Sequence, residues 1–270
     1  MITAGLVLYN NSADVFNKVI QSLVGCEYLS TVYIFDNSEC SLSNYIVKSP
    51  KIEYVHSELN VGFGAGHNHI LQMLCIQSTY HLIVNPDIEF DCAVLHKLQI
   101  TLDQRKQIVA IMPRIKNIDG TDQHLCKKLP TVLNLMSRRF LPFGLGSVFQ
   151  RGYVLPYLDE LFITPTISGC FLMCRTEKLI GIGGFDGRFF MYMEDVDLCR
   201  RLWSVGTIAC LPTVAVFHGY AAGSYKNLKL LRYHVKSAIC YFRKWGIFPD
   251  RELNSINKLA GSSLDITDLD

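Results

Sequence analysis

Over the first ~110 residues, short apolar runs alternate with amphipathic stretches five times, and this alternation limits the fold more than any other feature of the chain. Residues 2–9 form an apolar run that stops at Asn10-Asn11-Ser12, as a buried strand entering a turn does. Ser12 is placed to cap a helix whose apolar face is Val15, Val19, Ile20 and Leu23. Residues 31–35, 52–55, 81–84 and 108–112 predict four more strands. Between them come a helix at 67–77 and another that starts after Asp91, with Val94, Leu95, Leu98 and Leu102 on one face. Strands and helices in this order build an α/β fold with a mainly parallel central sheet and helices on both faces. Such sheets bind ligands beyond the carboxyl ends of their strands. Asn10-Asn11, Asp36-Asn37 and Asn85-Pro86-Asp87 all fall there. Turns are polar in any protein, so this clustering gains meaning only from the residues that follow.

With 49% hydrophobic and 19% charged residues, the chain is too apolar for disorder. Its net charge of +2 does not suggest a nucleic-acid binder. No linker or repeat interrupts it, so residues 1–246 read as a single domain and 247–270 as a tail. The ten cysteines form no Cys-x-x-Cys pair, which argues against a zinc ribbon. Residues 1–10 lack a basic leader, and no stretch approaches the ~18 apolar residues of a membrane span. Reduced thiols and a cytoplasmic protein are the expectation.

The second half is less regular. Asp119-Gly120 predicts a hairpin turn, and residues 125–165 show no periodicity that assigns them. Residues 166–174 predict a buried strand, 181–186 a glycine-rich turn, and 196–205 a helix. A strand over 208–217, broken at Pro212, ends at His218-Gly219. Residues 224–246 carry six Lys/Arg and no Asp/Glu, beside an apolar stripe of Leu228, Leu231, Val235, Ala238, Ile239, Phe242 and Trp245. Such a helix packs its apolar face on the domain, or lays its basic face on an anionic membrane at ~1 kcal/mol per cation. Both hold if the apolar face turns inward.

Four groups of residues could carry chemistry. Asn85-Pro86-Asp87 sets a carboxylate just past a strand, because Pro86 cannot continue the ladder. A carboxylate there either caps a turn or holds a hard cation against a diphosphate. Asn60 opens a loop with Gly62, Gly64 and Gly66 before a helix, where backbone can approach a phosphate or simply turn tightly. Glu194 and Asp195 stand at a helix start, where acids favour the dipole. The preceding Phe189-Phe190-Met191-Tyr192 would form an apolar wall that raises their pKa and suits a general base. His218 is either structural or, if it faces Asp87, a partner in a His/carboxylate metal site.

Taken together, these motifs resemble the family 2 glycosyltransferases of the GT-A fold, and within them the bacterial rhamnosyltransferases of O-antigen and cell-wall synthesis. The carriers are Asn60-Val61-Gly62-Phe63-Gly64, Asn85-Pro86-Asp87, Ser168-Gly169-Cys170-Phe171-Leu172, Gly183-Gly184-Phe185-Asp186 and the run from Phe190 to Arg201, in that order. The resemblance spans 2–246. It implies a nucleotide-sugar-binding half over 1–110, an acceptor and catalytic half over 111–223, and a basic amphipathic helix over 224–246. It implies nucleotide-sugar contacts from Tyr9, Asn10, Asp36, Asn60, Gly62, Phe63, Gly64, Asn85 and Asp87. Acceptor contacts would come from Gly169, Tyr192 and Arg200. A divalent cation, Mg2+ or Mn2+, would be held by Asp87 and His218. Asn85 stands where the family's metal motif carries its first Asp, so one carboxylate remains. Asp195 would be the base, with Glu194 beside it.

The activity so implied is an inverting hexosyl transfer, L-rhamnose from dTDP-L-rhamnose to a hydroxyl of a lipid-linked glycan, in cell-surface polysaccharide synthesis. A polyprenyl-diphosphate-linked acceptor and an anionic membrane surface touching 224–246 would make the protein peripheral at the inner membrane face. A galactofuranosyl or other hexosyl transfer from a UDP-sugar, and a non-catalytic nucleotide-binding module, are the alternatives.

Overall fold

Nine strands join one sheet: β1 (Ile2–Leu8), β2 (Leu29–Asp36), β3 (Ile52–His56), β4 (Tyr80–Val84), β5 (Ile88–Glu89), β6 (Ile108–Asn117), β7 (Phe162–Ile163), β8 (Phe171–Arg175) and β9 (Thr207–His218). They are seen in a computed structural model that describes residues 1–74, 78–140, 152–219 and 228–264, without the side chains of 137–140. The described helices are α1 (Ala13–Gly25), α2 (Phe63–Met73), α3 (Cys92–Gln104), α4 (Val132–Phe140), α5 (Thr176–Gly181), α6 (Glu194–Leu202), α7 (Leu228–Trp245) and α8 (Arg251–Lys258). The strand order is β3-β2-β1-β4-β8-β6-β9-β5, with β7 also on β9. β1 to β4 pair in parallel, as do β6 and β9. β8 runs antiparallel between β4 and β6, and β5 and β7 run antiparallel on β9.

Alternation along the strands sorts the helices onto the two faces of the sheet. Ile2, Ala4, Leu6 and Leu8 of β1 enter the main core with Phe16, Val19, Ile20 and Leu23 of α1 and Val94, Leu95, Leu98 and Leu102 of α3. The intervening Val7 joins Tyr33 and Phe35 of β2 beneath Ile70 of α2. The expected α/β class and mainly parallel sheet are therefore present.

Several boundaries differ from the sequence reading. Ser12 occupies the N-cap of α1 without a side-chain bond, whereas Asp91 accepts from the Ala93 amide at 2.7 Å. α2 begins at Phe63, inside the glycine-rich loop, because glycines do not prevent a helical turn when tertiary contacts hold it; residues 75–77 lie outside the described residues. The strand expected at 166–174 is only Phe171–Arg175, since the segment before it forms a loop. α6 begins at Glu194, so both acids are helical. In β9 the register jumps from Leu211 opposite Pro113 to Ala215 opposite Arg114, a bulge that accommodates Pro212. Within the unassigned 125–165, α4 and β7 form; 141–151 lie outside the described residues.

α7 also corrects an expectation. Its buried positions are Ser237 and Tyr241, while Val235 and Ile239, from the expected inner stripe, are 42% and 52% exposed. Residues 224–227 lie outside the described residues. Thiol chemistry differs as well. Cys26, at the end of α1, and Cys92, at the start of α3, form a disulfide across a Cα separation of 5.4 Å, so these two thiols are not reduced. Among the described residues, no helix is long and apolar enough to cross a membrane.

Candidate active site

The carboxyl ends of β1 and β2 and the loop before α2 are tied together. Asp36 is fully buried, and its carboxylate accepts from the Ser38 and Leu42 amides at 2.9 and 2.8 Å and from the Tyr54 hydroxyl at 2.6 Å. Burial pushes this carboxyl up, but hydrogen bonds from Ser38, Tyr54 and Leu42 hold it, on balance, below its ordinary value. The bonds also shape the turn that brings Ser38 Oγ to the Asn10 amide at 2.8 Å. Asn37, likewise buried, accepts from the Val61 amide and donates to the Gly62 carbonyl, both at 3.2 Å. Tyr9 and Asn10 are exposed above them.

The glycine-rich loop fits closely against the second half of the chain. Gly62 has φ +90°, and a Cβ on it would collide with the Phe190 carbonyl, to which the Phe63 amide donates at 3.3 Å. Asn60 Oδ1 accepts from the Gly62 amide at 2.9 Å. A Cβ on Gly64 would lie 3.0 Å from Phe185 Cβ. One turn along α2, Asn68 exchanges two bonds with the Phe185 backbone, at 2.7 and 2.8 Å. The Asn60–Gly64 and Gly183–Asp186 motifs, distant in sequence, thus interlock.

Asp87 and His218 meet where β5 pairs with the end of β9. Asp87 Oδ1 lies 3.4 Å from His218 Nε2, and Asn85 Nδ2 lies 3.5 Å from the same nitrogen. Gln123 donates through Nε2 to Asn117 Oδ1 at 2.7 Å and to the His218 carbonyl at 2.9 Å. Its Oε1 therefore faces His218 Nδ1 at 3.0 Å, so that Nδ1 carries a hydrogen and Nε2 is the ring nitrogen left facing Asp87. An imidazole nitrogen beside a carboxylate is a donor set that suits a divalent cation. Among the described residues, no group of three or more His, Cys, Asp or Glu could hold a metal, so the protein would supply this pair and leave other positions to a ligand.

Glu194 and Asp195 open α6 from a strained turn. Tyr192 and Met193 both have positive φ, +67° and +65°, which costs non-glycine residues and persists only where packing enforces it. The enforcement comes from α7: Ser237 Oγ donates to the Met191 carbonyl at 2.7 Å, Tyr192 stacks on His234, and Phe190 meets Tyr233. Phe189 and Met193 bury against Tyr241. The apolar wall beside the acids is thus present. Burial and the neighbouring Asp195 push the Glu194 carboxyl well up, and burial pushes Asp195 up against the pull of Lys127. Glu194 Oε2 is buried without a hydrogen-bond partner.

The Ser168–Cys170 loop stands between the acids and the Asp87–His218 pair. The Gly169 backbone pulls the Asp195 pKa down against burial, and a Cβ on Gly169 would lie 3.2 Å from Phe63 and 3.7 Å from Asp195 Cβ. The next residue, Cys170, accepts from the Asn85 amide at 2.8 Å. Burial first, then the charges of Asp87 and Asp195, push the Cys170 thiol up to about 12, so both carboxylates lie within electrostatic reach of one sulfur. Arg200 is placed elsewhere: it is 2% exposed, stacked over Trp245 at 4.2 Å and paired with Asp250. In that position its guanidinium packs α6 against the C-terminal helices, where an acceptor cannot reach it.

Residues absent from the sequence reading complete the site. Gln123 orients His218, Lys127 sets charge near Asp195, and Asn37 and Asn68 fasten the glycine-rich loop. Asp197, fully buried, accepts from Arg201, Lys244 and Trp245 at 2.8, 2.7 and 2.8 Å. An acid one turn after Glu194, with an arginine four residues beyond it, was the available signal for this last cluster. For Gln123, just past the Asp119-Gly120 turn, and for Lys127, in the unassigned 125–165, there is none.

No family model matches the chain. It is 25% identical over 190 residues to an N-acetylglucosaminyl-diphospho-decaprenol L-rhamnosyltransferase of Mycobacterium tuberculosis, covering 64% of this chain and 60% of that protein. The chain thus spans about three fifths of that relative's length. It is 21% identical over 267 residues to the rhamnosyltransferase WbbL of Escherichia coli K12, covering 94% of this chain and 97% of WbbL. In three dimensions it is similar to the crystal structure of GalNAc-T7 with UDP, GalNAc and Mn2+, with TM-score 0.65, 12% identity, and coverage of 96% of this chain and 55% of that one. In sequence the chain is thus similar to rhamnosyltransferases at 21–25% identity, and in three dimensions it shares the GT-A glycosyltransferase fold.

Proposed function

We propose that the chain is an inverting glycosyltransferase that moves L-rhamnose from dTDP-L-rhamnose to a hydroxyl of a polyprenyl-diphosphate-linked glycan, with residues 1–246 as one catalytic domain. The observation that carries this reading is the Ser168–Cys170 loop, which packs Gly169 against Asp195 and meets the Asn85–Asp87 strand end through the Cys170 carbonyl. It sets a base candidate and a cation-binding candidate on one short stretch of backbone. The names of the mycobacterial relative and of WbbL favour rhamnose, and the former names a lipid-linked acceptor. A galactofuranosyl or other hexosyl transfer from a UDP-sugar is the competing assignment, to which UDP in the GalNAc-T7 structure lends support.

In this reading Tyr9, Asn10 and the Asp36–Ser38 turn receive the nucleotide, and the Asn60–Gly64 loop approaches the diphosphate. Asp87 and His218 would hold Mg2+ or Mn2+, as the Mn2+ of the GalNAc-T7 structure suggests. Such an ion, when bound, supplies positive charge to the diphosphate. Asp195 takes the acceptor hydroxyl's proton as the oxygen attacks the anomeric carbon opposite the leaving diphosphate. One in-line displacement inverts the configuration, so one carboxylate suffices. The raised Asp195 pKa makes it a stronger base than an exposed aspartate. Gly169 and Tyr192 border the acceptor side. The exposed cations of α7 support a contact with an anionic membrane surface, with the protein peripheral at the inner membrane face.

Asp195→Asn should lower turnover about 10²–10⁴-fold without moving donor affinity. A folded variant that keeps more than about a tenth of wild-type turnover removes Asp195 as the base. Melting-temperature shifts with a panel of nucleotide-sugars, in the presence of Mn2+, decide between the donors.

A further inference from the structure

The outer face of α7 lines a groove of about 760 Å³, within the size range of small-molecule sites. Its lining contains five cations and no acid. Arg232, Lys236 and Arg243 come from one stripe of α7, at spacings that keep them on the same side of the helix. Arg188 comes from a different element, the turn before Phe189, so cations converge from two segments. Lys244 is held by Asp186 and Asp197, and Arg188 also pairs with Asp186. Arg232, Lys236 and Arg243 have no ion-pair partner among the described residues.

A second stripe, Leu231, Val235 and Ile239, lines the same groove. These residues follow one another at intervals of four, so they form a continuous apolar strip beside the cations. Val235 and Ile239 are exposed, although the sequence suggested an inward role. An exposed apolar strip next to unpaired cations marks a binding surface for a ligand with both characters. A bilayer presents a flat sheet of headgroups, whereas a groove with one cationic and one apolar side accepts a single amphiphile lengthwise.

We propose that this groove binds the diphosphate and the first isoprene units of a polyprenyl-diphosphate lipid. Arg232, Lys236 and Arg243 meet the phosphate oxygens, and Leu231, Val235 and Ile239 cover the hydrocarbon next to them. The proposal deepens the glycosyltransferase reading by giving its acceptor's lipid end a seat. The same α7 holds the Met191–Met193 turn through Ser237 and His234, so the seat adjoins the element that presents Glu194 and Asp195.

Calorimetric titration of the full chain with farnesyl diphosphate, below its micellar concentration, tests the seat without any need for catalysis. Inorganic diphosphate, farnesol and vesicles containing phosphatidylglycerol serve as separate arms. We expect farnesyl diphosphate to bind at least tenfold tighter than either inorganic diphosphate or farnesol. The double variant R232E/K236E and the single variant I239E should each weaken it at least tenfold, with wild-type melting temperatures. Equal binding by wild type and both variants would overturn the seat. So would inorganic diphosphate binding as tightly as farnesyl diphosphate, which would leave only a cationic patch. Retention on anionic vesicles without farnesyl diphosphate binding would also reject it, in favour of a membrane-surface contact. Each outcome is independent of the Asp195→Asn result, so the seat and the proposed reaction fail separately.

Discussion

Gln123 fixes the tautomer of His218, because its own two amide hydrogens are directed to Asn117 and to the His218 carbonyl, leaving only Oε1 to face Nδ1 at 3.0 Å. A glutamine far from β9 in sequence thereby decides that Nε2, rather than Nδ1, is the nitrogen available beside the Asp87 carboxylate. Partners that orient a ligating histidine are typically worth about 10–100-fold in metal affinity. Gln123→Ala should weaken Mn2+ binding by about that factor, and Asp87→Ala should weaken it further. Electron paramagnetic resonance titration of Mn2+, with nucleoside diphosphate present, reads both.

Glu194 gives the fold a pH dependence of its own. Burial and Asp195 raise its pKa above the ordinary 4.5, so between these values the folded chain holds a proton that the unfolded chain has lost. This contribution is fully favourable below pH 4.5 and disappears as pH rises through the raised value. The melting temperature of the wild type should accordingly fall with pH across that window, and Glu194→Gln should flatten the slope. Melting curves from pH 5 upward, compared between the two proteins, measure the difference.

Gly62 is the glycine of the loop that no other residue can replace. Its φ of +90° and ψ of 176° belong to a region that is essentially glycine's alone, and a side chain would meet the Phe190 carbonyl. Gly62→Ala should cost about 1–3 kcal/mol of stability and weaken nucleotide-sugar binding more than Gly25→Ala, where a Cβ meets nothing within 4 Å. Urea unfolding and donor titration of both variants supply the comparison.

The Cys26–Cys92 bridge closes a sequence separation of 66 residues. Chain entropy for a loop of that length corresponds to about 4 kcal/mol. Cys26→Ser, or reductant on the wild type, should lower the unfolding free energy by roughly 2–4 kcal/mol. An intact-mass difference of two hydrogens between oxidised and reduced protein checks that the bridge is present.

The parallel half of the sheet was legible because its elements are local. Val15, Val19, Ile20 and Leu23 repeat at helical intervals, and a strand run such as 31–35 needs no distant partner to be recognised. Strand ends at Asp36 and Asp87 followed from the same pattern. The Asp87–His218 contact is not legible in this way, since nothing in the sequence brings β5 to β9. The acceptor contact that the resemblance implies for Arg200 is not available, because packing on Trp245 turns its guanidinium away. α7 misled for a related reason. Its apolar stripe is real, but Ser237 and Tyr241 carry the bonds and volume that dock the helix, and a side chain's partner is not encoded in its hydrophobicity.

β8 lies against the grain of its neighbours β4 and β6. A parallel strand can only deliver the residues that follow it to the carboxyl edge of a sheet. An antiparallel one delivers those that precede it. Ser168, Gly169 and Cys170 therefore arrive at the crevice as the chain comes in, while Asn85 and Asp87 reach it as the chain goes out. The two sides of the site thus belong to stretches of polypeptide that can diverge separately, and a change in the incoming loop need not disturb the turns at the strand ends.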